Sequence, residues 1–322
     1  MFKKRKKGMI LGQALADALG LGTEFMTVDQ VKKNYPKFPY NFSDIVDDNH
    51  RNGWLKGDWT DDTDQSIILF NTVKNNLHLT AKEIGIVFSK NLKRWLEKGL
   101  LSIDTCGVGV GKPVAWVLRD ENYDTDPYKA SKTVWETSEK SLAEDGAVMR
   151  TAFLSSLEID WEKLKEIVIS CCQITHWDSR CIACCLFVNY IIYKVLRTEN
   201  VDKNFIEKIF NEAYIEVCKS VKKTKNFSKY LKVDTLDSLN LDNPYIRCHT
   251  KSPFRCFIWS LKNYELGYET IIWEIIKRGG DADTNAAVSG ALLGAIFPEE
   301  VEKNINLKDL LYKDFLFETF SH

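Results

Sequence analysis

A surplus of charge of either sign is what this chain most lacks: 44 basic residues stand against 45 acidic ones over 322 positions, a formal net charge of −1. No global field therefore draws it to nucleic acid or to a membrane surface. Long apolar runs are missing too; none reaches the roughly 18–20 residues needed to span a bilayer. The basic start, Met1 to Lys7, leads into an apolar stretch that Gln13 and Asp17 break, without a signal-peptide cleavage pattern. Lys3 to Lys7 reads as a frayed, solvated terminus, with a nuclear-localisation patch as the alternative, and the expected location is the cytoplasm. No linker is rich enough in Pro, Gly or Ser to mark a boundary, so residues 1–322 read as one domain. The cysteines, nine in number, also fail to form a paired pattern. Cys181-x-x-Cys184 has no second CxxC and no matched histidine pair, and it lies in an apolar run, which favours reduced thiols packed in a core over a zinc site.

What the chain does have is helical periodicity. Gly8, Gly12, Ala16 and Gly20 fall on one stripe of a first helix, and Gly290 and Gly294 sit beside Ala287, Ala291 and Ala295 in a last one, Thr284 to Ile296. Glycine inside a helix costs about 0.5–1 kcal/mol relative to alanine. That cost is tolerated where backbones must approach closely, so these two helices are expected at the centre of the fold, against each other. Further apolar recurrences predict helices over 64–75, 81–98, 112–118, 131–141, 147–156, 161–175, 180–196, 204–220, 253–262 and 270–277. Few stretches alternate as strands do, and the fold class is all-α. Polar connections remain at 26–57, 119–130 and 221–252; the lysines 222, 223, 225 and 229 read as a solvated basic loop.

Two short texts repeat near the chain ends. Thr60-Asp61-Asp62-Thr63-Asp64 follows Gly57, and Asp281-Ala282-Asp283-Thr284 follows Gly279-Gly280; each runs into an apolar helix. One such cluster alone reads as a helix N-cap with acidic first-turn residues. Two copies change the balance, because buried carboxylates repel and cost several kcal/mol per ion without a counter-charge. Hard divalent cations with oxygen ligands supply it. A metal-assisted hydrolase is the expected class.

Three more segments carry polar groups into helices. Glu24 ends the glycine-striped segment and could serve as general acid or base; its plain alternative is a surface glutamate. Cys106-Gly107-Val108-Gly109-Val110-Gly111-Lys112 is a glycine-rich turn that could cradle phosphate oxygens, although the Walker spacing is absent. Glu144-Asp145-Gly146-Ala147-Val148-Met149-Arg150 and Thr175-His176-Trp177-Asp178 are the others, and a histidine in such a place is more often structural.

Taken in order, these motifs resemble the ADP-ribosylglycohydrolases, and the match spans nearly the full chain. The resemblance implies a single all-α orthogonal bundle with a central binuclear Mg2+ site, Mn2+ being the alternative. It implies Thr60, Asp61, Asp62, Asp281, Asp283 and Thr284 as metal ligands, with Glu24 and Asp62 as the catalytic residues. Gly107, Val108, Gly109 and Val110 would hold the diphosphate, Asp145, Gly146 and Met149 would face the ligand, and His176 would line the distal ribose. The implied reaction is hydrolysis of the bond between ADP-ribose and a protein side chain, of arginine or serine type, by a monomer. A catalytically weak ADP-ribose binder or toxin-neutralising relative is the alternative, and a calcium-stabilised helical protein the blandest one. Ala16, Asp145 and Trp177 depart from the residues usual in the family.

Overall fold

The computed structural model describes residues 1–100, 103–222 and 226–320. Its helices are α1 (Phe2–Gly20), α2 (Val28–Asn34), α3 (Asp61–Asn75), α4 (Ala81–Lys98), α5 (Lys112–Leu118), α6 (Pro127–Thr137), α7 (Val148–Thr151), α8 (Trp161–Gln173), α9 (Ser179–Leu196), α10 (Lys203–Ser220), α11 (Phe227–Tyr230), α12 (Lys251–Lys262), α13 (Tyr268–Ile276), α14 (Ala282–Ile296), α15 (Pro298–Lys303) and α16 (Lys313–Phe320). Among the described residues there is no strand, and one isolated bridge joins Glu144 to His249. The all-α reading holds.

The glycine stripes meet at the centre. α1 and α14 pack along their length, so closely that a methyl group on Gly12 would lie 2.5 Å from the Gly290 carbonyl oxygen and 2.9 Å from Gly294 Cα. Such contact brings backbone against backbone and leaves no room for a side chain. α12 and α13 cover α14, α9 joins α8 to α10, and α4 bridges α3 and α8. Gly20, at the end of α1, abuts the backbone of Asp283 at the start of α14. The helix pair thus sets the distance between the first and last motifs.

Several sequence expectations need correction. The basic N-terminus is helical from Phe2, and Arg5 is buried, donating Nη1 to the Ala295 carbonyl oxygen at 2.8 Å. The helix expected over 131–141 runs over 127–137 instead, because Asp126 caps it and Pro127 starts it. That over 147–156 turns 3-10 after Thr151. The polar stretch 26–57 holds α2, started by a Thr27/Gln30 capping box, and α15 and α16 follow the last expected helix. α9 is long and apolar enough to cross a membrane by length and composition, since Arg180 and Lys194 sit only at its ends; most of it is covered by neighbouring helices. Of the lysines in the expected basic loop, Lys223 and Lys225 lie outside the described residues.

Candidate active site

Three backbone features aim polar groups at one place. α3 begins at Thr60, whose Oγ1 faces the Asp62 amide, so its first turn carries Asp61, Asp62 and Asp64. α14 begins after Gly279 and Gly280, with φ of +59° and +70°, values that favour glycine. There the Gly280 amide donates to the Met26 carbonyl oxygen (2.9 Å), and the Phe25 amide donates to the Gly280 carbonyl oxygen (2.5 Å). This exchange sets Glu24 beside the Asp281–Asp283 turn. α1 supplies the third feature, Asp17, fully buried between the two helix starts.

The two acidic clusters meet in space. Thr284 Oγ1 donates to Asp62 Oδ2 at 3.2 Å, across 222 residues of sequence. Two groups of carboxylate oxygens each fall within 4.8 Å of one another, one from Asp17, Asp62 and Asp283, the other from Glu24, Asp281 and Asp283. Asp283 belongs to both. Oδ1 of Asp62, Oδ1 of Asp283 and Oδ2 of Asp145 are buried without a hydrogen-bond partner. Burial, reinforced by the neighbouring carboxylates, pushes the carboxyls of Asp61, Asp62, Asp283 and Asp145 well above the usual range. Partnerless carboxylate oxygens crowded in this way fit hard cations, which would supply the missing charge.

Asp17 plays a different part from its neighbours. Its Oδ1 accepts from the Thr60 amide (3.1 Å) and hydroxyl (2.8 Å), and its Oδ2 from the Thr63 amide (3.1 Å) and hydroxyl (2.6 Å). Both oxygens are therefore engaged by protein, and burial nonetheless raises the carboxyl to about 6. It locks the first turn of α3. Gln65 donates to Asp61 Oδ2 at 2.7 Å and accepts from buried Arg150 at 2.9 Å. The indoles of Trp59 and Trp95 hold the two oxygens of Asp64 at 2.8 and 2.9 Å, pointing it away from the cluster.

The carboxylates open into a cavity of about 540 Å³, within the range of small-molecule sites. Glu24, Asp61, Asp62, Gly109, Val110, Asp145, Gly146, Met149, Asp281, Asp283 and Thr284 all line it. Thr60 lies behind, against Asp17 and Asp62. Gly109 closes over Asp61: a methyl on it would sit 2.6 Å from Asp61 Oδ1. Two residues of the glycine-rich turn face elsewhere. Gly107 packs on the Trp95 ring and Val108 against Gly53. His176 sits behind Gly146, whose added methyl would lie 3.1 Å from its Cε1, and outside the cavity wall. Its Nδ1 pairs with Thr175 Oγ1 at 2.8 Å, and burial lowers its pKa to about 3, so the ring is neutral.

Sequence reasoning gave no site role to Asp17, His50, Glu144 or Arg247, although Glu144 opens one of the segments it singled out. A lone aspartate inside an apolar helix is a burial signal that could have flagged Asp17. His50, whose Nε2 lies 2.6 Å from Glu24 Oε2, is in a polar loop without any motif. Arg247, its guanidinium 4.2 Å from the Phe25 ring centroid, and Glu144 are on the cavity wall, where only folding brings them.

This geometry, carboxylates from both chain ends over one cavity in an all-helical frame, is that of a ligand site whose acidic groups could hold a metal ion. The ADP-ribosylglycohydrolase family model matches residues 1–309, and the chain belongs to that family. It is accordingly an enzyme that hydrolyses glycosyl bonds of ADP-ribose. It is 25% identical over 308 residues to an ADP-ribosyl-[dinitrogen reductase] glycohydrolase of Rhodospirillum rubrum, with 91% of this chain and 85% of that one covered. A protein of Acanthamoeba polyphaga mimivirus, provisionally named an ADP-ribosyl glycohydrolase, is 23% identical over 310 residues, covering 92% and 88%. A solved structure titled as an ADP-ribosylglycohydrolase-related protein complex shares the fold, with a TM-score of 0.68, 18% identity and coverage of 98% and 95%.

Proposed function

We propose that this enzyme releases ADP-ribose from a modified protein side chain with two Mg2+ ions as cofactors, and that it acts as a single chain. The observation that carries the reading is the pair of carboxylate groups sharing Asp283 and opening into the ligand-sized cavity. Asp62 and Asp283, with their partnerless oxygens, and Asp61, Asp281, Thr60 and Thr284 would hold the ions. Bound there, Mg2+ would supply Lewis-acid stabilisation to ribose oxygens and to an attacking water. Lys112 and Arg247 on the wall complement a diphosphate, as do the turn at Gly109 and Val110 and the start of α5. Glu144 and Asp145, carboxylates beyond the two groups, favour a cationic acceptor of arginine type over serine.

Hydrolysis breaks the bond from C1″ of the ribose to the acceptor through an oxocarbenium-like centre; water adds to C1″ and the acceptor leaves with a proton. Glu24 is the carboxylate beside that centre; it accepts one proton of the water as the water oxygen bonds to C1″ and delivers a proton to the departing acceptor, which returns the carboxylate to its ionised form. The test is a release assay on arginine- and serine-linked ADP-ribose, with Mg2+, with Mn2+ and with EDTA. Release from the arginine linkage that EDTA stops is the expected result. Tight ADP-ribose binding without release on either linkage would establish the binding-protein alternative. Glu24→Gln should keep ADP-ribose affinity and lower turnover by about 10²-fold or more, the scale of lost acid–base assistance.

A further inference from the structure

Glu24 is gripped from outside the cavity by a loop that no motif marks. Asp48 Oδ1 accepts from the amides of His50 (3.0 Å) and Arg51 (2.8 Å), which fixes a tight turn. Arg51 is buried and fastens this turn to the backbone on both sides of Glu24. Its Nε donates to the Gly22 carbonyl oxygen at 3.0 Å and its Nη2 to the Glu24 carbonyl oxygen at 2.5 Å. The His50 ring then sits between Phe25 and Trp54, with centroids 5.0 and 5.7 Å away. From there its Nε2 reaches Glu24 Oε2 at 2.6 Å. One proton lies between the two, and an ionised Glu24 requires it on Nε2.

A glutamate has three rotatable bonds before its carboxylate, so a cavity edge alone does not fix its oxygens. We propose that His50 is the positioning residue for Glu24, holding Oε2 through its ring N–H so that the carboxylate stays turned towards Asp281 and Asp283. The aromatic neighbours keep the imidazole from swinging, and Arg51 keeps the loop from lifting. The role rests on reading Glu24 as the acid–base residue of the hydrolase.

Release of ADP-ribose with Mg2+ tests it in wild type, His50→Leu, His50→Gln, Glu24→Gln and the His50→Leu/Glu24→Gln double variant. Outer-shell partners of this kind are worth about 10–100-fold in activity. His50→Leu should therefore lose kcat on that scale, with KM and ADP-ribose affinity held within about two-fold. His50→Gln carries an amide donor and should recover much of the loss. In the Glu24→Gln background, His50→Leu should cost almost nothing more, because its effect runs through the missing carboxylate. Wild-type turnover in His50→Leu, equal losses in Leu and Gln variants, or losses that multiply in the double variant would each overturn the proposal. A measurement independent of turnover is the His50 ring N–H proton in NMR. It should be downfield and slowly exchanging in wild type and lost in Glu24→Ala; its absence from wild type overturns the clamp. Should wild type release nothing from any linkage, the hydrolase reading fails by that assay while the NMR result still decides the clamp.

Discussion

The two acidic turns carry nearly the same text and are held in different ways. At the start of α3 the protein itself satisfies many of the polar groups: Asp17 accepts four hydrogen bonds from Thr60 and Thr63, Gln65 holds Asp61, and two indoles hold Asp64. At the start of α14 the turn is shaped by Gly279 and Gly280 and by backbone exchange with Met26, while Asp283, like Asp62 in the other turn, keeps a buried oxygen without a hydrogen-bond partner. One turn is braced by side-chain hydrogen bonds and the other by backbone, and each leaves one buried carboxylate oxygen, on Asp62 and on Asp283, for a ligand. Similar sequences therefore need not share an energetic role; what surrounds them decides it.

The largest effect that can break this comparison is on catalysis. Asp62→Ala and Asp283→Ala each remove a carboxylate with a partnerless oxygen, and turnover should fall to background while the helical circular dichroism persists. Unchanged release of ADP-ribose by either variant would remove that residue from the site. Stability gives a sharper contrast. In EDTA, Asp283→Asn removes a like charge from among buried carboxylates and should raise the unfolding free energy. Asp17→Asn, under the same conditions, leaves buried donors from Thr60 or Thr63 unmet and should lower it by about 1–3 kcal/mol. Urea unfolding of both variants measures the difference, and equal signs would end the distinction drawn between the turns. With Mg2+ added, wild type should gain stability by mass action and Asp283→Asn should gain less.

A smaller effect belongs to the frame that joins the turns. Gly290→Ala puts a methyl against the Gly12 backbone and should cost about 1–3 kcal/mol through overpacking. A loss of metal affinity should accompany it, since α1 and α14 carry the two sides of the site; calorimetric titration with Mn2+ would read this. The smallest expected effect is one of pH. Burial lowers His176 to about 3, so between roughly pH 6.5 and 3 the unfolded chain binds a proton that the folded chain refuses. Stability is whole above pH 6.5 and falls as pH drops, by about 1.4 kcal/mol per unit for this group. Urea unfolding in EDTA at pH 7.5 and 5.0 should show a loss in wild type that His176→Gln reduces by roughly 1–2 kcal/mol. An identical loss in the variant would mean that His176 is charged in the fold.

The sequence by itself determined the class of the fold and the crowding of oxygen donors at one place. Apolar recurrence at helical spacing needs no tertiary information, and it placed 81–98 and 112–118 to the residue. The glycine stripes announced the contact of α1 with α14, because a row of missing side chains serves only a close backbone approach. The repeated Asp/Thr texts announced dense oxygen donors. Tertiary structure decided which of those oxygens are free. Asp17 and Asp62 are both buried aspartates, and only the arrangement of Thr60, Thr63 and Thr284 around them separates a brace from an open donor. It also decided that Gly109 and Val110 face the cavity while Gly107 and His176 pack behind it, and that His50 reaches Glu24. The physical reason is range. Helical periodicity and capping act over three or four residues along the chain, whereas hydrogen-bond satisfaction and burial depend on neighbours hundreds of residues away, which exist only once the chain has folded.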